Sequence, residues 1–240
     1  MFGAWQAGAW QVIQPKVPKP DWVIGASAGS LNAWAIAGGL DPQILIDRWL
    51  HLEAYRHFHW RFPTSFKSSL LDPAPVWADV EDVYSRCKPK TNIGIAITRL
   101  PGLQVEMVVN EQITARHLMA SCAVPGLLPP VKVNGHWYWD GGLMDGLPHR
   151  FGREVGAQRL ICMNVWVGLP WWWSLKGSLL HRLHLMRQGS IAEPNKANWI
   201  YLAPPAMPGT FRDAAVWSRH NAERWIDQGR KAGQAALIQL

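Results

Sequence analysis

The chain has 240 residues, 48% of them hydrophobic and 17% charged, with a formal net charge of +7; this composition supports a sizeable core and excludes intrinsic disorder. No apolar run reaches the roughly 18 residues of a spanning helix, and no basic region leads an apolar start, so neither a simple membrane span nor a secretory signal is expected. Three widely spaced cysteines, Cys87, Cys122 and Cys162, form neither a disulfide framework nor a metal cluster and fit a reducing compartment, so the expected location is cytoplasmic.

Trp22-Val23-Ile24 reads as a short buried strand running into a turn at Gly25, and a helix over 31–36 ends at Gly38-Gly39. Asp41 is a helix cap and Pro42 a first helical residue, opening a helix predicted to reach about Leu52. Residues 53–75, rich in aromatic and basic groups, read as a loop-dominated excursion. Strands are predicted over 92–98 and 104–109, and Thr114 caps a short helix that Pro125 ends. Val131-Lys132-Val133 and 136–139 flank Asn134-Gly135, the pattern of a hairpin with a two-residue type I′ turn. A further strand is expected over 160–166 and a closing helix or helix pair over 213–240. Neither a repeat nor a linker interrupts this alternation, so one α/β domain over 1–240 is expected.

Gly25-Ala26-Ser27-Ala28-Gly29 places Gly-x-Ser-x-Gly between a strand and a helix. In that context Ser27 is the candidate nucleophile on a strained turn, with Gly25 and Gly29 relieving crowding. The helix N-terminus and the Ala28 N–H would face a developing oxyanion. A serine hydroxyl needs a base, and two kinds are available. His149 follows the nucleophile in the order of a Ser–Asp–His triad. Asp140 ends the hairpin strand and opens Asp140-Gly141-Gly142, where the glycines permit positive φ and leave the carboxylate uncrowded. The three aromatics before Asp140 would desolvate it and raise its pKa toward that of a useful base.

These segments together resemble the patatin-like phospholipase family. The resemblance is carried by Gly25-Ala26-Ser27-Ala28-Gly29 with Asp140-Gly141-Gly142. The run Ala120-Ser121-Cys122-Ala123-Val124-Pro125-Gly126-Leu127-Leu128-Pro129-Pro130 ahead of the Asn134-Gly135 hairpin adds to it, as do Ser69-Leu70-Leu71-Asp72-Pro73 and Leu147-Pro148. It covers residues 3–150 well and the remainder loosely. It implies a three-layer α/β/α sandwich with a mainly parallel central sheet. It also implies hydrolysis of fatty acyl esters by a Ser–Asp dyad through an acyl-enzyme, Ser27 as nucleophile and Asp140 as base, without metal or cofactor. In one respect the sequence departs from the family pattern, in which a first strand and a Gly-Gly-Gly loop supply most of the oxyanion donors. Here Gly3-Ala4-Trp5-Gln6-Ala7-Gly8 matches the run after that loop, which leaves Gly3 and Ala28 as partial oxyanion candidates. The expectation is a start upstream of Met1 or a weakened oxyanion hole.

Charge is unevenly placed: residues 1–150 carry 13 Lys/Arg and 12 Asp/Glu, residues 151–240 carry 11 and 5. The basic end contains Pro170-Trp171-Trp172-Trp173, and Trp172, Leu175, Leu179, Leu183 and Met186 recur there at helical spacing. Two readings stand for this segment: a basic amphipathic helix on the inner face of a membrane, and an ordinary helix packed on the sheet. The expected partner is a lipid or phospholipid substrate, and no motif supports nucleic acid. Beside a lipid acyl hydrolase stand a non-catalytic lipid-binding relative and an α/β-hydrolase esterase using His149.

Overall fold

The computed structural model describes residues 1–52, 69–167, 199–210, 212–213 and 216–239. Its elements in chain order begin with α1 (Gly3–Ile13), β1 (Trp22–Ala26), α2 (Ala28–Ala37), α3 (Pro42–Leu50), α4 (Ala74–Arg86), β2 (Asn92–Arg99) and β3 (Gln104–Val109). After these come α5 (Ala115–Ser121), β4 (Val131–Val133), β5 (His136–Asp140), α6 (His149–Glu154), β6 (Leu160–Met163), β7 (Trp199–Leu202) and α7 (Arg219–Ala236). The amphipathic segment with Trp171, Trp172 and Trp173, and most of the 53–75 excursion, lie outside the described residues.

β2 is the hub of the main sheet. Its Ile93, Ile95 and Ile97 are buried, and along one edge it pairs antiparallel with β3, from Gly94↔Val109 to Arg99↔Gln104. Two strands share the other edge. β1 runs parallel to β2 from Trp22↔Asn92 to Ala26↔Ala96, while β5 comes from the far end, antiparallel, from Arg99↔Tyr138 to Ile97↔Asp140. β1 and β5 therefore advance toward each other and stop at adjacent residues of β2. β4 completes the five-stranded sheet on β5, and β6 and β7 pair parallel with each other. This is the α/β class that the resemblance implies, with the β1–β2 and β6–β7 crossover pairs parallel and the hairpin pairs antiparallel.

Helices cover both faces of the sheet. Adjacent strand residues point to opposite faces, and a Cβ on Gly25 would strike the α2 backbone while one on Gly94 would meet Phe151 of α6. Gly25 is level with Ile95, so α2 lies over the isoleucine face and α6 over the other. Against α2 and α3 packs the pair α1–α7, which cross at glycines. A Cβ on Gly8 would lie 2.1 Å from Ile226 O, and one on Gly229 would lie 2.0 Å from Trp5 O. Around this crossing Trp5, Trp49, Trp217 and Trp225 are buried, and the Trp217 indole donates to Trp49 O at 2.8 Å. Tryptophans thus build much of this part of the core.

Most boundaries follow the expected signals. The Asp41 side chain accepts from the Gln43 N–H, Thr114 forms a capping box with His117, and Asn134 and Gly135 adopt φ of 47° and 85°, as a type I′ turn requires. α2 starts at Ala28, immediately after the serine, as the strand–turn–helix reading of the motif expects. Two elements stand apart from the sequence signals. β6 stops at Met163 because the Asn164 side chain accepts from the Trp166 N–H at 3.0 Å and turns the chain. α1 has no amphipathic signature, since eight of its eleven residues are buried. Among the described residues no helix is long and apolar enough to cross a membrane.

In an exposed helix, replacing glycine with alanine stabilises by up to about 1 kcal/mol. At the α1–α7 crossing the sign is expected to reverse. Gly8→Ala and Gly229→Ala should each lose roughly 1–3 kcal/mol in urea unfolding, because the backbones must move apart. Gly102→Ala, whose Cβ would find nothing nearer than 3.6 Å, should stay within about 0.5 kcal/mol of the parent.

Candidate active site

The convergence of β1 and β5 brings one residue from each strand end into contact. Ser27 follows the last residue of β1 with φ 56° and ψ −136°, a conformation that L side chains rarely adopt and that holds its side chain clear of the sheet. Its Oγ donates to Asp140 Oδ2 at 2.6 Å. The other carboxylate oxygen, Oδ1, accepts from the Gly142 N–H, also at 2.6 Å. Both oxygens are thus held, and the carboxylate cannot swing.

Three of the four motif glycines have a spatial reason, and Gly29, expected to relieve crowding, does not. A Cβ on Gly25 would sit 2.3 Å from Gly29 O, and one on Gly141 would sit 2.0 Å from Ala96 O. One on Gly142 would sit 3.0 Å from Asp140 Oδ1 and 3.7 Å from Ser27 Cβ. Gly29 has more room, its nearest neighbour being Gln6 Oε1 at 3.4 Å. Positive φ, expected for Gly141 and Gly142, is found at neither; close approach to β2 and to the carboxylate is what their missing side chains allow.

Asp140 is only 3% exposed. Burial, the dominant influence, pushes its carboxyl up to about 7, against the opposing pull of the Ser27 and Gly142 hydrogen bonds. Cys122 lies beside the pair, and burial pushes its thiol up to about 12. It therefore stays protonated and donates to Ser27 O at 3.4 Å.

Two helix N-termini end at this point. Ala28 is the first residue of α2, so its N–H belongs to the first-turn donors that no intrahelical acceptor reaches. Gly3 is the first residue of α1. Gly3 is also a packing glycine: its Cβ would sit 2.4 Å from the Trp49 ring, and its carbonyl accepts from Asn32 Nδ2 at 2.9 Å.

His149 is placed elsewhere. Its Nδ1 lies 2.8 Å from Leu147 O and its ring meets Trp199 edge-on; among the described contacts none joins it to Ser27 or Asp140. A cavity of about 740 Å³ runs between β1 and β6, lined in part by Gly25, Gly29 and His149 but by neither Ser27 nor Asp140. Three partners of the pair lacked any local signal in the sequence: Ser121, which accepts from the Ser27 N–H, Cys122, and Thr98, which donates to Asp140 O at 2.8 Å. Ser121 and Cys122 sit in the run that resembles the family, but their contacts lie 94 and 95 positions away.

A family model described as patatin-like phospholipase matches residues 1–151. Over 50 residues the chain is 40% identical to lysophospholipase NTE1 of Meyerozyma guilliermondii, an overlap of 21% of this chain and 4% of that protein. The crystal structure of VipD from Legionella pneumophila superposes with a TM-score of 0.54 at 13% identity, over 99% of this chain and 65% of that one. The chain thus spans less than two thirds of VipD and a small part of NTE1.

A carboxyl raised above its unfolded value is protonated and harmless below the unfolded pKa and costs stability as pH rises through the folded one. Asp140→Asn should therefore match the parent's stability near pH 4 and exceed it increasingly up to about pH 7. Above that pH the gain should level off at no more than about 4 kcal/mol. Denaturant midpoints across this range would check both sign and window.

Proposed function

The chain belongs to the patatin-like phospholipase family, and on that premise we propose that it is a lipid acyl hydrolase in which Ser27 is the nucleophile and Asp140 its base. Family and fold support a lipid hydrolase at the coarse level. The observation that carries the finer reading is the 2.6 Å hydrogen bond from Ser27 Oγ to the buried carboxylate. It provides direct proton transfer at the distance general-base catalysis requires.

In the proposed reaction Asp140 accepts the Oγ proton as Oγ bonds to the acyl carbon of a fatty acyl ester. The carbonyl oxygen gains the negative charge, and the Ala28 N–H and the positive ends of α1 and α2 are the donors available to it. Collapse breaks the bond to the alcohol, which leaves with the proton from Asp140, and an acyl group stays on Ser27. Water then attacks with Asp140 again as base, releasing fatty acid and restoring Ser27. A carboxyl near pH 7 suits both roles, because it is a stronger base than a solvated aspartate and can return the proton. The names of the family and of NTE1 point to phospholipid or lysophospholipid esters as first substrates to test.

The purified chain should label covalently with a fluorophosphonate and release fatty acid from lysophosphatidylcholine micelles. Ser27→Ala should abolish both, and Asp140→Asn should lower kcat/KM on the order of 10²–10⁴-fold. The base must be ionised, so kcat/KM should fall as pH drops below about 7. Labelling that survives Ser27→Ala would assign the chemistry elsewhere, and a parent chain that neither labels nor hydrolyses would favour a lipid-binding role.

A further inference from the structure

A short segment that belongs to neither strand touches both members of the pair. At the end of α5, three consecutive residues reach both partners. Ser121 Oγ accepts from the Ser27 N–H at 3.0 Å, Cys122 Sγ donates to Ser27 O at 3.4 Å, and Ala123 O accepts from the Asp140 N–H at 2.9 Å. Ser121 also donates to Ala96 O at 2.8 Å, the β2 carbonyl against which Gly141 is packed. Ser121 and Ala123 are fully buried, and the segment is fixed from behind by the capping box of α5 and by the bond from Cys122 N–H to Leu118 O.

We propose that residues 121–123 set the Ser27–Asp140 distance and that Ser121 is a positioning residue for the nucleophile; this rests on the hydrolase reading above. Ser27 lies one residue past the last β1–β2 pair, Ala26↔Ala96, so its N–H has left the ladder while its backbone is held at positive φ. A buried N–H without an acceptor is costly, and the strained conformation survives only where its surroundings enforce it. A hydroxyl both accepts and donates, so Ser121 can serve the Ser27 N–H and Ala96 O together, tying the nucleophile to the strand that fixes Asp140. The Ser27 carbonyl is held independently, by the N–H and Oγ of Ser30 at 2.8 and 2.7 Å and by Cys122. With Ser121 removed, the C=O side stays clamped and the N–H side does not. The expected result is a rotation of Ser27 that lengthens its bond to Asp140.

The test compares Ser121→Ala with the parent and with Ser69→Ala, which loses a buried hydroxyl that donates to Leu71 O away from the pair. Rates are expressed per fluorophosphonate-titrated site, so a loss of folded protein does not count. Ser121→Ala should lower kcat on the order of 10²-fold, the cost of about 1 Å of misplacement, with KM nearly unchanged; Ser69→Ala should leave both in place. The acid limb of kcat/KM should also move to higher pH, because the Ser27 hydrogen bond favours the ionised carboxylate. Equal kcat per site in Ser121→Ala and parent overturns the proposal. Should Ser121→Ala not fold, the near-isosteric Ser121→Cys, whose sulfur is a weak acceptor, is read in the same way: several-fold lower kcat at constant KM is expected, and an unchanged kcat overturns the proposal. The Asp140 carboxyl carbon, titrated by NMR, needs no activity. Its midpoint should rise in the folded variant, because the Ser27 hydrogen bond favours the ionised carboxylate. An unchanged midpoint overturns the positioning role even if the parent proves inactive, which is the separate failure of the hydrolase reading.

Discussion

Two strands laid head to head on one edge of β2 are the constraint on which the site depends. β1 uses that edge as far as Ala96 and β5 from Ile97 onward, and backbone pairing leaves neither strand freedom to slide, because a slip of one residue would turn every side chain to the opposite face. The position where both ladders stop is therefore defined to within a residue. The groups that follow Ala26 and end β5 must meet there. Crowding at this junction explains its composition: a Cβ at Gly25 or Gly141 would enter a backbone carbonyl, and the chain leaves β1 through a positive φ that keeps Ser27 clear of β5.

The same crowding sets the electrostatics. Excluding water from a carboxylate disfavours its charged form, and hydrogen bonds to its oxygens restore part of the loss. At Asp140 the two effects are unequal. Burial outweighs one hydroxyl and one amide donor, and the balance falls near neutrality. With more donors the carboxylate would be as weak a base as in water, and with none it would stay protonated at neutral pH. Cys122, in nearly the same surroundings and next to that carboxylate, is pushed to about 12. One dry pocket thus holds a proton on the thiol and leaves the carboxyl poised to lose one.

Local chemistry was legible in the sequence because turns and caps are local. Asp41-Pro42, Thr114 and Asn134-Gly135 act within three or four residues, and the serine turn is announced by its own glycines. The Ser27–Asp140 pairing is legible only through resemblance together with the strand-end position of the aspartate. What stayed hidden was non-local or without period. α1 is buried on most sides and shows no stripe, and nothing near Ser121 indicates that its hydroxyl faces a residue 94 positions earlier. The reason for the glycines after Asp140 was also hidden, because φ and proximity leave the same letter in a sequence.

A direct serine–carboxylate contact has a consequence for the choice between bases. At 2.6 Å Ser27 Oγ and Asp140 Oδ2 leave no room for an imidazole between them, whereas a triad places a histidine there and its acid behind it. Here the position behind the carboxylate belongs to the Gly142 amide, which can donate a hydrogen bond but cannot carry a proton away. In the proposed reaction the proton taken from Ser27 must then return from the same carboxyl, to the leaving alcohol and later to Ser27 itself. A solvated aspartate would hold that proton too weakly to act as acceptor. In that reaction, burial at the strand junction would be what makes a lone carboxylate sufficient, and the sheet register and the proposed chemistry would follow from one arrangement of β1, β2 and β5.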